Sequence, residues 1–383
     1  GNVVGLETAA WKYFGRAATE LSWAESATLA VLPNAPALIH PGRNREALLI
    51  KRNRLLDRLR DQGLLDSTSH YLAQLEPLPE RPLPLPMLAP HLLERTHQER
   101  LASQASGPAR IQVTLDGGLQ QQALALVARH YAELAENGIH NAGALVLSVP
   151  TGDVLAYVGN TPCEGPGEGC AVDVIPARRS TGSILKPLLY AAMLQDGELL
   201  PDMLVPDVPA YYGSYHPANY DRRYQGAVPA SQALARSLNV PAVHMLQRYG
   251  VSRFQRVLQQ VGLTTIDRPA DDYGLTLILG GAEASLWDLA GVYASMGRSL
   301  RYFPEYDGRY DPAGFRPPNL YLDRSQGPLP ISKRDRLQAG SPLEAGPIWH
   351  TLQAMVSVAR PESDRFWELF ASSDRIAWKT GTS

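Results

Sequence analysis

The stretch RRSTGSILKPLLYAAMLQDG, residues 178–197, decides the interpretation of this sequence. It predicts a helix that begins near Gly182, and at the start of a helix the residues i and i+3 share one face. The hydroxyl of Ser183 is therefore expected beside the amine of Lys186. A serine hydroxyl needs an adjacent base to act as a nucleophile. A lysine amine, whose ordinary pKa is about 10.4, can serve as that base only if burial or another cation lowers its pKa.

Two further motifs strengthen this prediction, since an S-x-x-K spacing alone is expected by chance in about a third of such chains. The sequence KTGT, residues 379–382, closes a predicted β-strand over 375–380 and offers a cation and two hydroxyls suited to a carboxylate. A chance KTG is expected in roughly one or two per cent of such chains. Ser237 and Asn239 form an S-x-N motif between two predicted helices, for which a loop cap is the alternative explanation. The motifs use two of only five lysines, so an active-serine site is favoured over three coincidences.

Composition excludes several other classes of protein. The 383 residues carry a formal net charge of −2, which offers no electrostatic field for nucleic acid or anionic lipid. The length leaves room for two or three domains, and no apolar run approaches the roughly 18 residues that span a bilayer. The nine histidines are scattered without metal-ligand spacing. Cys163 and Cys170 flank a loop without CxxC spacing, and both a loop disulfide and two free thiols remain open.

The first part of the chain is predicted to be helical. Residues 1–65 contain a capping box at Ser22 and Glu25, and the leucines of residues 47–62 form one apolar stripe. Residues 66–109 are predicted to be a linker, since the segment EPLPERPLPLP at 76–86 must be extended. This places a domain boundary in the linker.

From residue 110 to residue 383 the patterns predict an α/β (α+β) unit. Two β-rich runs, residues 143–149 and 154–158, are joined by PTGD at 150–153, which predicts a hairpin. Another strand is predicted at residues 111–115. Further helices are predicted at 119–136, 229–236, 241–249, 252–261, 285–297 and 347–359.

These segments resemble a known family. Residues 110–383 resemble the transpeptidase domain of class A penicillin-binding proteins, whose fold is shared with serine β-lactamases. The resemblance rests on the blocks TLDGGLQ (114–120), RSTGSILKP (179–187), YHPANYDRRYQG (215–226), RSLNVPAV (236–243) and LILGGAEASLWDLAGVYA (277–294). The stretch GLETAAWKYFGRAATELSWAESATLAVLPNAP (5–36) is similar to the last segment of a family 51 peptidoglycan glycosyltransferase.

The resemblance implies a β-lactamase/transpeptidase-like antiparallel sheet flanked by helices, preceded by a small helical glycosyltransferase remnant over residues 1–65. It also implies a D,D-transpeptidase, in which a serine is acylated by the D-Ala-D-Ala end of a peptidoglycan stem peptide and passes the acyl group to a neighbouring stem. β-Lactams would acylate the same serine, and the resemblance implies no metal or organic cofactor. The catalytic residues that it implies are Ser183, Lys186, Ser237 and Asn239, and the substrate-binding residues are Lys379, Thr380, Gly381 and Thr382.

The resemblance also carries expectations about context. The family's polymerase glutamates are expected upstream of Gly1 and further strands after KTGTS, so we predict a C-terminally truncated domain and no glycan polymerisation. The expected partners are stem peptides, lipid II-derived glycan, β-lactams and other cell-wall enzymes, at the periplasmic face of a bacterial inner membrane. The alternatives are a D,D-carboxypeptidase or β-lactamase-type hydrolase, and a non-catalytic penicillin sensor or scaffold. The tyrosine-rich segment 211–224 is either a cleft wall or a packed loop.

Overall fold

The computed structural model describes residues 3–33, 41–104, 110–161, 169–357 and 375–382. The chain divides into two compact units, residues 1–87 and 88–383. Across the described ranges, no helix combines the length and the apolar character needed to cross a membrane.

The first unit is helical, as predicted. The Ser22 side chain accepts the Glu25 N–H, which confirms the predicted capping box. Leu56 packs with Leu65 and with small alanines in a core of its own. Its helices are α1 (Leu6–Phe14), α2 (Trp23–Val31), α3 (Arg45–Asp61) and α4 (Ser67–Leu75).

The second unit mixes helices and strands, which agrees with the predicted class. Its helices are α5 (Pro90–Ala102), α6 (Gly117–Ala135), α7 (Lys186–Gln195), α8 (Ala230–Ala235), α9 (Asn239–Tyr249), α10 (Val251–Gln260), α11 (Ala270–Tyr273), α12 (Leu286–Tyr302) and α13 (Ala345–Val356). Its strands are β1 (Ala144–Leu147), β2 (Val154–Val158), β3 (Arg179–Ser180), β4 (Leu204–Asp207), β5 (Gly226–Pro229) and β6 (Glu283–Ala284). Helices α4 and α5 both lie within the stretch 66–109, and the division between the units falls after Met87.

The strands of the described residues form three antiparallel pairs, β1 with β2, β3 with β6, and β4 with β5. The β1–β2 hairpin has Ala144 opposite Val158, and its turn lies in the predicted place. The short β3–β6 pair and the backbone bond from the Thr181 N–H to the Ala282 oxygen fix the chain just before α7.

Helix α7 forms the centre of the second unit. Its residues from Lys186 to Met193 are all buried. After Lys186 the segment PLLYAAM has no polar face, which agrees with this burial. A helix that is apolar on all sides belongs inside a protein core. Around it pack apolar side chains from α8, α9, α10, α12 and α13.

Three local predictions were wrong. Residues 182–185 form turns and α7 begins only at Lys186, because Gly182 has φ 48, outside the right-handed helical region. Residues 111–115 make only the bridge of Val113 with Tyr321, and the predicted strand at 375–380 has no ladder partner within the described ranges. The Trp378 N–H bonds instead to the Met355 oxygen in α13. β-Propensity indicates an extended backbone, but a strand also needs a neighbour.

Of the two cysteines, only Cys170 lies within the described residues. Cys170 is disulfide-bonded, which agrees with the disulfide alternative. Cys163 lies outside the described residues, as do residues 358 and 359 of the helix predicted at 347–359.

Candidate active site

Ser183 lies in the turn that precedes α7 and is partly buried. Its carbonyl oxygen accepts the Lys186 N–H at 3.3 Å, so the predicted nucleophile and the predicted base lie on one turn. The next residue, Ile184, is held by α12, because the hydroxyl of Tyr293 in that helix donates to its carbonyl oxygen at 2.8 Å.

Lys186 is almost completely buried, with 2% of its surface exposed. Its Nζ donates to the carbonyl oxygens of Ser237 at 2.8 Å and Leu238 at 3.1 Å, and to Oδ1 of Asn239 at 2.8 Å. Burial lowers the pKa of Lys186 to about 7, and the nearby charge of Lys379 acts in the same direction. Three donated bonds need the ammonium form. The lowered pKa brings the loss of one of its protons, which a general base requires, within reach near pH 7.

The S-x-N loop connects the two lysines of the site. It joins α8 to α9, and its Ser237 has φ 54, a left-handed conformation that is uncommon for a residue with a Cβ. The Ser237 carbonyl accepts from Lys186, and its hydroxyl accepts from Nζ of Lys379 at 2.8 Å. One residue thus links the buried amine to the second cation.

The KTGT segment lies directly against the turn that carries Ser183. A Cβ at Gly182 would come within 2.6 Å of the Thr382 oxygen, and one at Gly381 within 2.8 Å of Cγ1 of Ile184. Real Cβ atoms essentially never come this close to another atom. Gly182 therefore requires glycine against the backbone of Thr382, whereas at Gly381 the Ile184 side chain would have to move. Burial lowers the pKa of Lys379 to about 8. Thr380 and Thr382 are exposed beside it, where a ligand can reach them.

The structure therefore brings the predicted residues together from three distant parts of the chain. Direct hydrogen bonds join Lys186, Ser237, Asn239 and Lys379, and Ser183 lies one turn away from them. Within the described part of the chain, the bonds of Lys186 go to the S-x-N loop and not to the Ser183 hydroxyl. Catalytic hydrogen bonds often tighten only when substrate binds.

Sequence reasoning missed the residues that support this site. Asn219 is buried and accepts the backbone N–H groups of Asn239 at 3.0 Å and Val240 at 3.2 Å. Its partner is Asp207, which ends β4. The signal was present, because Asn219 belongs to the block YHPANYDRRYQG, but no spacing rule connects that block to the S-x-N loop.

The tyrosine-rich segment 211–224 contains both packed and exposed tyrosines, and its role as a cleft wall stays a prediction. The Tyr212 hydroxyl bonds to Nδ1 of His244, so this residue is packed against α9. Tyr220 and Tyr211 are 99% and 73% exposed. Within the described ranges, no group of histidine, cysteine, aspartate or glutamate side chains could hold a metal ion.

Comparison with family models agrees with the fold and the site. Residues 142–304 match the model described as the penicillin binding protein transpeptidase domain, and residues 1–60 match the model described as transglycosylase. The first match includes Ser183, Lys186 and the S-x-N loop, whereas Lys379 lies beyond it. The fold and the site thus define a transpeptidase domain of the penicillin-binding type. One chain carries both matches, which is consistent with a class A penicillin-binding protein, as the sequence predicted.

Individual relatives support the same assignment. The chain is 32% identical over 383 residues to penicillin-binding protein 1C of Escherichia coli (strain K12). The alignment covers 100% of this chain and 45% of that protein. The chain is 30% identical over 318 residues to penicillin-binding protein 1F of Bacillus subtilis (strain 168), covering 78% of this chain and 42% of that protein. The chain thus spans less than half the length of these curated relatives.

Two solved structures share the fold. The crystal structure of penicillin-binding protein 1A from Haemophilus influenzae superposes with a TM-score of 0.54 at 17% identity, covering 93% of this chain and 70% of that chain. The penicillin-binding protein PonA1 from Mycobacterium tuberculosis gives a TM-score of 0.51 at 20% identity, covering 70% of each chain.

Proposed function

We propose that this protein is a peptidoglycan D,D-transpeptidase that cross-links stem peptides through an acyl-Ser183 intermediate. The observation that carries the proposal is the buried amine of Lys186, next to the Ser183 turn and linked through Ser237 to Lys379. A neutral amine beside a hydroxyl, with a fixed cation nearby for a carboxylate, suits acyl transfer from a peptide that ends in a free carboxylate.

In the acylation step, Ser183 Oγ attacks the carbonyl carbon of the penultimate D-Ala. Lys186 takes the hydroxyl proton, the C–O bond forms, and the C–N bond to the terminal D-Ala breaks. The Ser237 hydroxyl, which accepts a hydrogen bond from Nζ of Lys379, relays a proton to the leaving amine. In deacylation an amine of a neighbouring stem attacks the ester carbonyl and the C–O bond to Ser183 breaks. The amine proton returns to Ser183 Oγ, and a new amide bond remains.

The substrate is held by the segment 379–382. Lys379, while charged, attracts the terminal carboxylate, and the hydroxyls of Thr380 and Thr382 donate hydrogen bonds to it. Asn239 holds Lys186 through Oδ1. The backbone N–H groups of Ser183 and Thr382 form the oxyanion hole, and such a donor is worth about 3 to 4 kcal/mol in the transition state.

The cellular setting follows from the same proposal. The substrates are stem peptides on lipid II-derived glycan, and β-lactams acylate Ser183 as substrate mimics. The site works at the periplasmic face of a bacterial inner membrane, beside other cell-wall enzymes. Peptidoglycan at that face is the material on which a D-Ala-D-Ala cross-linking enzyme acts.

Mass spectrometry after incubation with a fluorescent penicillin tests the nucleophile. We expect one adduct on the peptide that contains Ser183, no adduct in Ser183→Ala, and an unchanged adduct in Ser252→Ala, which removes an exposed hydroxyl from α10. Labelling that persists in Ser183→Ala would remove Ser183 from this role.

A second measurement tests the acyl acceptor. A stem peptide ending in D-Ala-D-Ala is supplied together with an amine-bearing acceptor peptide, and we expect release of D-Ala with formation of the cross-linked product. Hydrolysis without cross-linking would indicate a carboxypeptidase or β-lactamase-type enzyme. Stoichiometric acylation without any D-Ala release would indicate a penicillin sensor or scaffold.

A further inference from the structure

A buried amide–carboxylate pair lies behind the S-x-N loop. Asn219 is 3% exposed and Asp207 is 1% exposed. Nδ2 of Asn219 donates to Oδ1 of Asp207 at 2.7 Å and to the Arg223 oxygen at 2.8 Å. The other Asp207 oxygen accepts the Gln225 N–H at 3.0 Å. These contacts fix the orientation of the Asn219 amide, because its donor side must face Asp207 and its oxygen must point the other way.

The Asn219 oxygen points at the start of α9. It accepts the N–H groups of Asn239 and Val240, the first two residues of that helix. N–H groups in the first turn have no partner within their own helix, and the residue at the N-cap position, Leu238, has no side chain that could supply one. Asn219 therefore caps α9 from a distant loop.

The neighbouring residue fixes the side chain of Asn239. The carbonyl oxygen of Ala218 accepts from Nδ2 of Asn239 at 3.0 Å, so Oδ1 of that amide is the atom that faces Nζ of Lys186. Ala218 and Asn219 together hold the backbone and the side chain of one site residue. The loop needs such support, since its own Ser237 has the left-handed φ of 54.

We propose that Asn219, held by Asp207, is a positioning residue that sets the place and orientation of Asn239 against Lys186. This inference rests on the proposed function of Lys186 as the base. It assigns a task to the block YHPANYDRRYQG, which otherwise has no part in the chemistry. A chain of hydrogen bonds runs from Asp207 through Asn219 and Asn239 to the buried amine.

The first test compares Asn219→Ala with Asn160→Ala in the otherwise unchanged protein. Asn160 is equally buried at 3% exposure, and its amide bonds to Val172 and Asn141 and not to any site residue. Both variants remove a buried amide, so both are expected to unfold at a lower temperature. Only Asn219→Ala is expected to slow acylation by penicillin, by at least about tenfold, because misplaced catalytic groups lose rate steeply. Equal slowing of both variants, or a folded Asn219→Ala with the parent rate, would overturn the inference.

The second test swaps the asparagine and the aspartate between positions 219 and 207. It remains informative if Asn219→Ala does not fold. Asn219→Asp alone sets two carboxylates against each other, whereas Asn219→Asp with Asp207→Asn restores a donor–acceptor pair and keeps an oxygen on the helix start. We expect the double variant to recover most of the acylation rate lost in Asn219→Asp. Its negative charge is one hydrogen-bonded step closer to Lys186, so the midpoint of the pH–rate profile is expected to move to higher pH. A double variant no faster than Asn219→Asp, or one with the parent midpoint, would contradict the proposal.

These outcomes separate the inference from the proposed function. If the parent protein forms no adduct at Ser183, the proposed function fails. If the parent is acylated there and the Asn219 variants behave as the parent does, only the positioning role fails.

Discussion

At the scale of single residues, the cost of burying Lys186 is the central physical feature. A lysine pKa lowered from 10.5 to about 7 corresponds to a free energy on the order of 5 kcal/mol in favour of the neutral amine. Burial is the larger cause of the lowered pKa of Lys186, and the charge of Lys379 is the smaller cause. Charged side chains are rarely buried without strong compensation, so this position is better explained by chemistry than by stability.

The lysine pair makes acylation depend on pH in a defined direction. The rate is expected to rise as Lys186 loses its proton near pH 7, and to fall as Lys379 loses its charge near pH 8. In Lys379→Gln the neighbouring cation is gone, so the pKa of Lys186 rises and the ascending limb moves to higher pH. Penicillin acylation rates between pH 5 and pH 10 measure both limbs. Lys333→Gln, which changes an exposed lysine, should keep the parent profile, and an unmoved limb in Lys379→Gln would refute the coupling.

The contact between Gly182 and Thr382 can be tested with a matched glycine. Gly182 and Gly197 both have positive φ, 48 and 70, so alanine strains the backbone at either position. Only at Gly182 would the new Cβ meet backbone atoms, since nothing lies within 4 Å at Gly197. Gly182→Ala is expected to push away the KTGT segment and to slow acylation by at least about tenfold. Gly197→Ala should lose about 1 kcal/mol of unfolding free energy and keep its acylation rate. Similar acylation rates in the two variants would show that the close contact between Gly182 and Thr382 does not affect acylation.

At the scale of elements, α7 and α12 hold the Ser183 turn between them. Helix α7 contributes the Lys186 side chain, and α12 contributes the Tyr293 hydroxyl that bonds to the Ile184 oxygen. Burial raises the pKa of Tyr293 above its ordinary value, so the hydroxyl keeps its proton and its role as a donor.

Two tyrosines of these helices provide a matched pair. Tyr293→Phe leaves the Ile184 carbonyl without its donor, and we expect a loss of about 1 to 2 kcal/mol of unfolding free energy together with slower acylation. Tyr190 in α7 is fully buried, and its hydroxyl has no hydrogen-bond partner among the described residues. Tyr190→Phe should therefore be neutral or slightly stabilising. Denaturant unfolding measures the free energy of unfolding of both variants. A larger loss of this free energy in Tyr190→Phe than in Tyr293→Phe would contradict these assignments.

At the scale of the whole molecule, the hydrogen bonds that build the site lie within residues 180–382, in the second compact unit. Helix α5 belongs to that unit as well. Its Leu92 is buried with Val154 and Tyr157, and Arg95 stacks over the ring of Trp287 at 4.0 Å. The sequence predicted that the transpeptidase domain begins at residue 110. We propose instead that it begins near Leu88, because the core around β2 includes α5.

Two shortened chains test this boundary. A chain that begins at Leu88 is expected to be acylated at the parent rate, since it keeps the hydrogen bonds that join Lys186, Ser237, Asn239 and Lys379. A chain that begins at Arg110 lacks Leu92 and is expected to lose about 2 to 5 kcal/mol of stability, as when a large core side chain is removed. Thermal unfolding and penicillin labelling measure the two effects. Equal unfolding temperatures for the two chains would support the boundary at residue 110.

The sequence by itself determined most of the helices and the β1–β2 hairpin, and it was enough to select the residues proposed for the site. Helices and tight turns are specified by residues close together in the chain, through periodicity, capping and turn chemistry. Ser183, Lys186 and the KTGT segment were found in the same way, because each motif is short.

Only the tertiary structure decided how these pieces meet. The cap of α9 by Asn219, the fit of Gly182 against Thr382 and the absence of a ladder partner for 375–380 within the described ranges depend on residues far apart in the chain. So does the lowered pKa of Lys186, because desolvation is a property of the assembled core and not of a spacing. Local patterns carry no information about which distant backbone or side chain will fill the space beside them.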